Sequence, residues 1–185
     1  IIDWEIHEDE SPEHAAALVE RAARREGIEP GQVTLHADNG GPMKGATMIA
    51  KLEALGVAAS FSRPRTSDDN PFSESLFRTL KSRPEYPSRP FADIASAKAW
   101  VTAFVAWYDD AHLHGSIRFV TPADRHAGRD VAILARRARV YAAARRKHPD
   151  RGTGSARNWS RIEIVTLNPG RPGAARAATK GKTAA

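Results

Sequence analysis

From Ile1 to Ser62 the spacing of apolar residues switches between two periods, and that switching leaves few architectures open. Residues 1–8 (IIDWEIHE) alternate, with Ile2, Trp4 and Ile6 on one face and Asp3, Glu5 and His7 on the other, which predicts a half-buried strand. Ser11-Pro12-Glu13 then offers a helix start, Ser11 as N-cap and Pro12 at the first helical position. Ala15, Leu18, Val19 and Ala22 recur at helical spacing as far as Gly27. Residues 33–37 (VTLHA) read as a short strand closed by the turn signal Asp38-Asn39-Gly40-Gly41. A helix over 44–55, striped by Met48, Leu52 and Leu55, ends at Gly56, and a strand follows over 57–62. Strand, helix, strand, helix, strand is the order of an α/β sheet.

Beyond Ser62 the pattern turns helical. Asp68-Asp69-Asn70-Pro71 predicts the cap of a helix over 71–82, and Pro84, Pro87 and Pro90 mark a break. A long helix is expected over 93–113, where Ile94, Val101, Val105 and Tyr108 join Trp100, Phe104 and Trp107 in a broad apolar face. Residues 128–147 predict a basic helix with a narrower stripe of Ile133, Leu134, Val140 and Tyr141. Trp159–Leu167 is expected to be one strand. From Asn168 onward the Gly/Pro/Ala/Lys composition cannot bury a core, which predicts a disordered tail over 168–185.

Composition narrows the chemistry. The absence of Cys excludes disulfides, thiolate zinc sites and cysteine nucleophiles. No apolar run approaches the roughly 20 residues of a membrane span, no secretory leader pattern opens the chain, and a cytoplasmic location is expected. The net charge of +6 is unevenly spread. Residues 1–30 hold nine acids against three Arg, and residues 133–185 hold thirteen Lys/Arg against Asp150 and Glu163. A basic end of that size fits a polyanionic partner such as nucleic acid, or a solubilising tail.

Asp38 falls at the carboxyl end of a predicted strand, where open α/β sheets place their sites. Glu74 falls in the first turns of a capped helix, 35 residues intervening. Two carboxylates on rigid elements can share a divalent ion such as Mg²⁺, and a two-metal site can activate a water or a 3′-hydroxyl for phosphodiester chemistry. The spacing alone also fits a turn-forming Asp and a Glu facing the helix dipole.

The wider context points one way. LHADNGGPMKG and SRPRTSDDNPFSESLFRTLK, which carry Asp38 and Glu74 with 35 residues between those two acids, resemble the catalytic core of bacterial insertion-sequence transposases of the OrfB type, DDE-class relatives of retroviral integrases. AWVTAFVAWYDDAHLHGSIRFVTPADRH resembles the Trp-Tyr, His and Thr-Pro segment of the same family. The resemblance covers residues 1 to about 168 and implies an RNase H-like fold. It implies that Asp38 and Glu74 are the second and third carboxylates of the DDE triad and the ligands of Mg²⁺ or Mn²⁺, with Asn70 organising the helix start. Arg78 and Lys81 share a helix face with Glu74, and in such an enzyme they grip phosphates; as plain helix charges they would be solvated, with Glu74–Arg78 an ordinary pair. Arg136, Arg137, Arg139, Arg145, Arg146 and Lys147 would add non-specific DNA contacts. The implied partners are element-end and target DNA and further copies of the chain, and the implied division is a core over 1–122, a basic extension over 123–167 and the tail.

A DDE enzyme needs three carboxylates, and only two can be placed. By the resemblance the first Asp belongs to a strand preceding the segment that IIDWEIHE matches, and Asp3, Glu5, Glu8 and Asp9 do not replace it. The chain, which begins Ile-Ile, is therefore expected to be a fragment lacking the first two strands. Alone it should be marginally folded or self-associating, because unpaired strand edges promote association. A truncated remnant that only binds DNA or a full-length partner, or a nuclease that hydrolyses without joining, stands beside the transposase reading. His112 and His114 are spaced divergently for a zinc site and are expected to pack; His36 reads as a satisfied strand residue or as support for Asp38, and Trp100, Trp107 and Tyr108 as core.

Overall fold

The computed structural model describes residues 1–63, 69–150, 154 and 157–165. Two compact units emerge. One comprises residues 1–10, 17–26 and 87–164; the other comprises residues 11–16 and 27–86, with Val165.

Helix α1 (Pro12–Glu26) starts as its sequence dictates: Ser11 Oγ accepts from the His14 amide at 3.1 Å. In the second unit a strand β1 (Thr34–Ala37) pairs in parallel with β2 (Ala58–Phe61), in the register Thr34↔Ala58 to Ala37↔Phe61. A parallel pair requires a crossover, and helices α2 (Gly41–Lys44) and α3 (Ala46–Leu55) provide it. The single helix expected over 44–55 is thus two, broken at Gly45, whose backbone is extended (φ −61°, ψ 145°). A side chain there would lie 2.6 Å from the Pro12 ring, so only glycine allows this approach. Met48 and Leu52 are buried, as their spacing predicts. Gly56 closes α3 in the left-handed region at φ +64°, returning its amide to Glu53 and Leu52 carbonyls.

Helix α4 (Pro71–Lys81) follows, with Asn70 at its N-cap position. Asn70 makes no side-chain cap bond, contrary to the capping role expected of this stretch. Asp69 is turned to Arg63 instead, and Asp68 lies outside the described residues.

The first unit is helical. Helix α5 (Ile94–Asp110) opens on a reciprocal capping box between Asp93 and Ser96. Its expected apolar face is an aromatic ladder: Trp100 stacks on Phe104 at 5.6 Å, and Phe104 meets Trp107 at 6.0 Å and Tyr108 at 5.6 Å. Helix α6 (Pro122–His126) is capped by Thr121 and packs against α5. Helix α7 (Asp130–Lys147) lays Leu134 into a buried cluster with Val120 and Trp159.

Two expected strands are absent from the described residues. Residues 1–7 form no ladder, because a strand needs a backbone partner and none of the described residues supplies one. Side-chain charge holds the segment instead: Arg21 pairs with Asp3 at 2.7 Å and with Glu5. Residues 159–165 are likewise irregular. Their carbonyls are taken by side chains, Ser160 by Arg118 Nε at 3.2 Å and Ile162 by Arg125, so no ladder forms. The expected tail over 168–185 lies outside the described residues. The sheet therefore has two strands among those residues, a small parallel pair within a mixed α/β unit.

Candidate active site

The carboxyl ends of β1 and β2 open into a recess of about 900 Å³ lined by His36, Asp38, Asn39, Met43, Ser62, Arg63, Asn70, Ser73, Glu74, Phe77 and Lys81. Topology explains why the residues meet. Two parallel strands end at the same edge, so Asp38, just past β1, and Ser62-Arg63, just past β2, emerge side by side. Asn39 Nδ2 donates to the Ser62 carbonyl at 2.8 Å, tying the two turns together. Helix α4 then contributes Glu74, Phe77 and Lys81 from one face, at positions i, i+3 and i+7.

Asp38 is exposed, and its Oδ1 accepts from the Gly40 amide at 2.9 Å. A Cβ on Gly40 would stand 3.0 Å from that oxygen, so glycine at this position leaves room for the Asp38 carboxylate beside the backbone. Glu74 is exposed one turn into α4, its amide bonded to the Asn70 carbonyl at 3.3 Å. Arg78 is exposed on α4 but does not line the recess, whereas Lys81 does.

His36 is fully engaged. The register sets it opposite Ser60, and its Nδ1 lies 2.9 Å from Ser60 Oγ. Its Nε2 lies 3.0 Å from the Asp69 carbonyl and must be the protonated nitrogen there, because a carbonyl only accepts. Asp69 is buried, and Arg63 approaches it as a fork: Nε to Oδ2 at 2.8 Å and Nη2 to Oδ1 at 2.7 Å, with the Arg63 amide also on Oδ2 at 2.9 Å. The carboxylate raises the Arg63 pKa above its ordinary value. This pairing was not legible in the sequence, where a cation and an acid six positions apart have no periodic relation.

The recess offers oxygen donors of the hard kind that suits Mg²⁺ or Mn²⁺. Asp38 and Glu74 fit as part of such a site, although no group of three or more His, Asp or Glu residues that could hold a metal occurs among the described residues.

In the helical unit, Arg136, Arg139, Arg145, Arg146 and Lys147 are exposed along α7. Arg137 is turned inward: it donates to the Arg118 carbonyl at 2.8 Å and stands 5.4 Å over the Trp159 ring. His112 and His114 lie past the end of α5 and do not diverge as expected: their rings meet edge-on at 4.4 Å between centres, and both pack on Tyr108. Burial first, and then His112, lowers the His114 pKa. Asp3 and Glu5, the acids weighed against a missing carboxylate, are engaged by Arg21 and His7, whose hydrogen bonds lower the pKa of both.

Residues 55–122 match the integrase core domain family. No curated protein matches the chain. The matched span contains Asn70, Glu74, Arg78, Lys81 and Thr121-Pro122, while Asp38 precedes it. The match supports a retroviral-integrase-like or transposase core, an RNase H-like fold and a general role in DNA integration or recombination. Integrase cores generally use divalent metals and bind DNA. Among the described residues no helix is long and apolar enough to cross a membrane.

Proposed function

We propose that this chain carries the catalytic part of an OrfB-type insertion-sequence transposase of the DDE class, with residues 1–122 as core and 123–167 as a DNA-binding extension. The observation that carries this reading is the recess that Asp38, Asn70, Glu74 and Lys81 line at the ends of two parallel strands. Asp38 and Glu74 would hold Mg²⁺ or Mn²⁺, which supplies charge stabilisation at the phosphorus and an activated water or 3′-hydroxyl. Asp38 keeps one carboxylate oxygen clear of its turn bond to Gly40, and Glu74 reaches the recess from a helix that fixes its direction. Lys81 places a cation on the same wall, where it would meet the phosphate of an element end. The substrates are element-end and target DNA, and the working form is an oligomer of this chain on DNA.

The test is strand transfer in a complete transposase built on this core. Asp38→Asn and Glu74→Gln should each abolish joined products while DNA affinity stays within about twofold, since neutral isosteres remove metal ligands and not phosphate contacts. Retained joining would show that other carboxylates do the chemistry. A second reading, DNA binding without chemistry, draws on α7, whose exposed cations need nothing from the recess. Under it neither substitution has any effect on the chain's activity toward DNA.

A further inference from the structure

We infer that Arg63 and Asp69 are positioning residues for the Asp38–Glu74 pair. The inference rests on the reading of the recess given above and goes beyond it by naming what sets the two carboxylates relative to each other. Asp69 is the point where three elements meet. Its carboxylate is held by Arg63, two residues past the end of β2, through the side-chain fork and the main-chain amide. Its carbonyl is held by His36 of β1, which is itself held by Ser60 of β2. Its carboxyl neighbour, Asn70, occupies the N-cap position of α4 and accepts the amide of Glu74. One carboxylate of the pair thus lies two residues from His36, and the other one helical turn from Asn70.

The geometry departs from the ordinary use of an acid at this place. An Asp beside a helix start commonly caps the helix or faces its dipole. Here Asp69 is 7% exposed and spends both oxygens on Arg63, and α4 begins without a side-chain cap. The fork fixes a plane as well as a distance, because a bidentate guanidinium restrains rotation in a way a single contact does not. Rotation of the first turn of α4 would carry Glu74 relative to Asp38, and the fork with the His36 bond opposes that rotation. Neither Arg63 nor Asp69 is assigned contact with the reacting atoms.

Mn²⁺ affinity of the full chain, measured by titration calorimetry and by loss of the free-ion EPR signal, provides the test, with the urea midpoint of each variant recorded alongside. Asp38→Asn and Glu74→Gln should remove binding in the recess. Arg63→Ala and Asp69→Asn should weaken it by about ten- to hundredfold, the range seen when residues supporting metal ligands are lost. The urea midpoint should fall as well, because the buried Asp69 carboxylate loses its pairing with Arg63, so affinity is compared without urea at a temperature where circular dichroism shows each variant folded. Arg63 is largely exposed, so its truncation leaves no cavity. Wild-type Mn²⁺ affinity in both Arg63→Ala and Asp69→Asn, with binding still lost in Asp38→Asn, would overturn this inference alone. Mn²⁺ binding indifferent to Asp38→Asn and Glu74→Gln would overturn the reading of the recess and this inference with it.

Discussion

Asp130 is the buried charge on which the helical unit most depends. The residue is fully buried at the start of α7, where Arg125 Nη1 and Arg161 Nε (2.8 Å) both donate to its Oδ2. Arg125 also donates to the Ile162 carbonyl, so this one carboxylate anchors the segment around Trp159 to α6 and α7. Burial by itself would raise the Asp130 pKa; the bonds from Arg161 and Arg125 outweigh it, and the pKa lies below the ordinary 3.8. Asp130→Ala takes the shared carboxylate from two guanidiniums, which keep only the Ile162 carbonyl and Glu163 as partners; the loss is about 3–5 kcal/mol for a fully buried pair. The guanidinium-bearing side chains keep 21% and 33% of their exposure and can recover some hydration, so the lower end, about 3 kcal/mol, is expected. With a urea dependence of about 2 kcal/mol per molar, the midpoint should fall by about 1.5 M. Amide exchange at residues 159–163 should rise in the same variant.

The acid response of this contribution has a defined sign. A depressed folded pKa stabilises the fold above the unfolded value and ceases to do so as pH falls through the folded one. The gap between wild type and Asp130→Ala should therefore be full at neutral pH and close below about pH 3.8, where the unfolded carboxyl also becomes protonated. Replacing Asp130, Arg125 and Arg161 together by apolar residues of similar volume should recover most of the loss. A single Asp130→Ala midpoint within 0.3 M of wild type, roughly 0.6 kcal/mol at that slope, would refute the reasoning.

Other expectations follow from single features. His114 has a folded pKa below its ordinary 6.5, so the unfolded chain binds the extra proton first; stability should decline as pH falls below about 6.5, and His114→Leu should flatten that decline in melts run from about pH 7 to pH 5. Gly56→Ala forces φ +64° on a residue with a Cβ and sets that atom 2.5 Å from Pro30 Cβ; a loss of about 2–4 kcal/mol in urea unfolding is expected. Alanine at Arg139 or Arg145 should lower the slope of log affinity for DNA against log salt by about 1 for each phosphate contact removed. Arg137→Ala, which breaks an internal bond, should instead lower stability.

How much of this was legible in the sequence depends on the range of the interactions involved. Ser11-Pro12 and Gly56 mark their helix ends through local backbone chemistry, and the structure has them there. The two parallel strands were legible from short apolar runs between turn signals. The strand expected at 1–8 was not realised, since alternation describes a face and a ladder needs a neighbour. The break at Gly45 depends on Pro12, 33 positions away, and no periodicity carries that. In the recess, Asp38, Asn70, Glu74 and Lys81 were readable from the resemblance, yet Arg63 and the turning of Asp69 away from the helix were not. Both arise from pairing across a loop. Arg137 shows the same limit: a cation in a basic helix reads as surface until the Trp159 segment is seen beneath it.

The central claim is that Asp38 and Glu74 share a divalent ion, and anomalous diffraction from crystals soaked in Mn²⁺ tests it most directly. The account predicts a peak in the recess with one oxygen from each carboxylate at about 2.1–2.3 Å. A recess without a peak while both carboxylates are well ordered, or a peak that persists in Glu74→Gln, would contradict it.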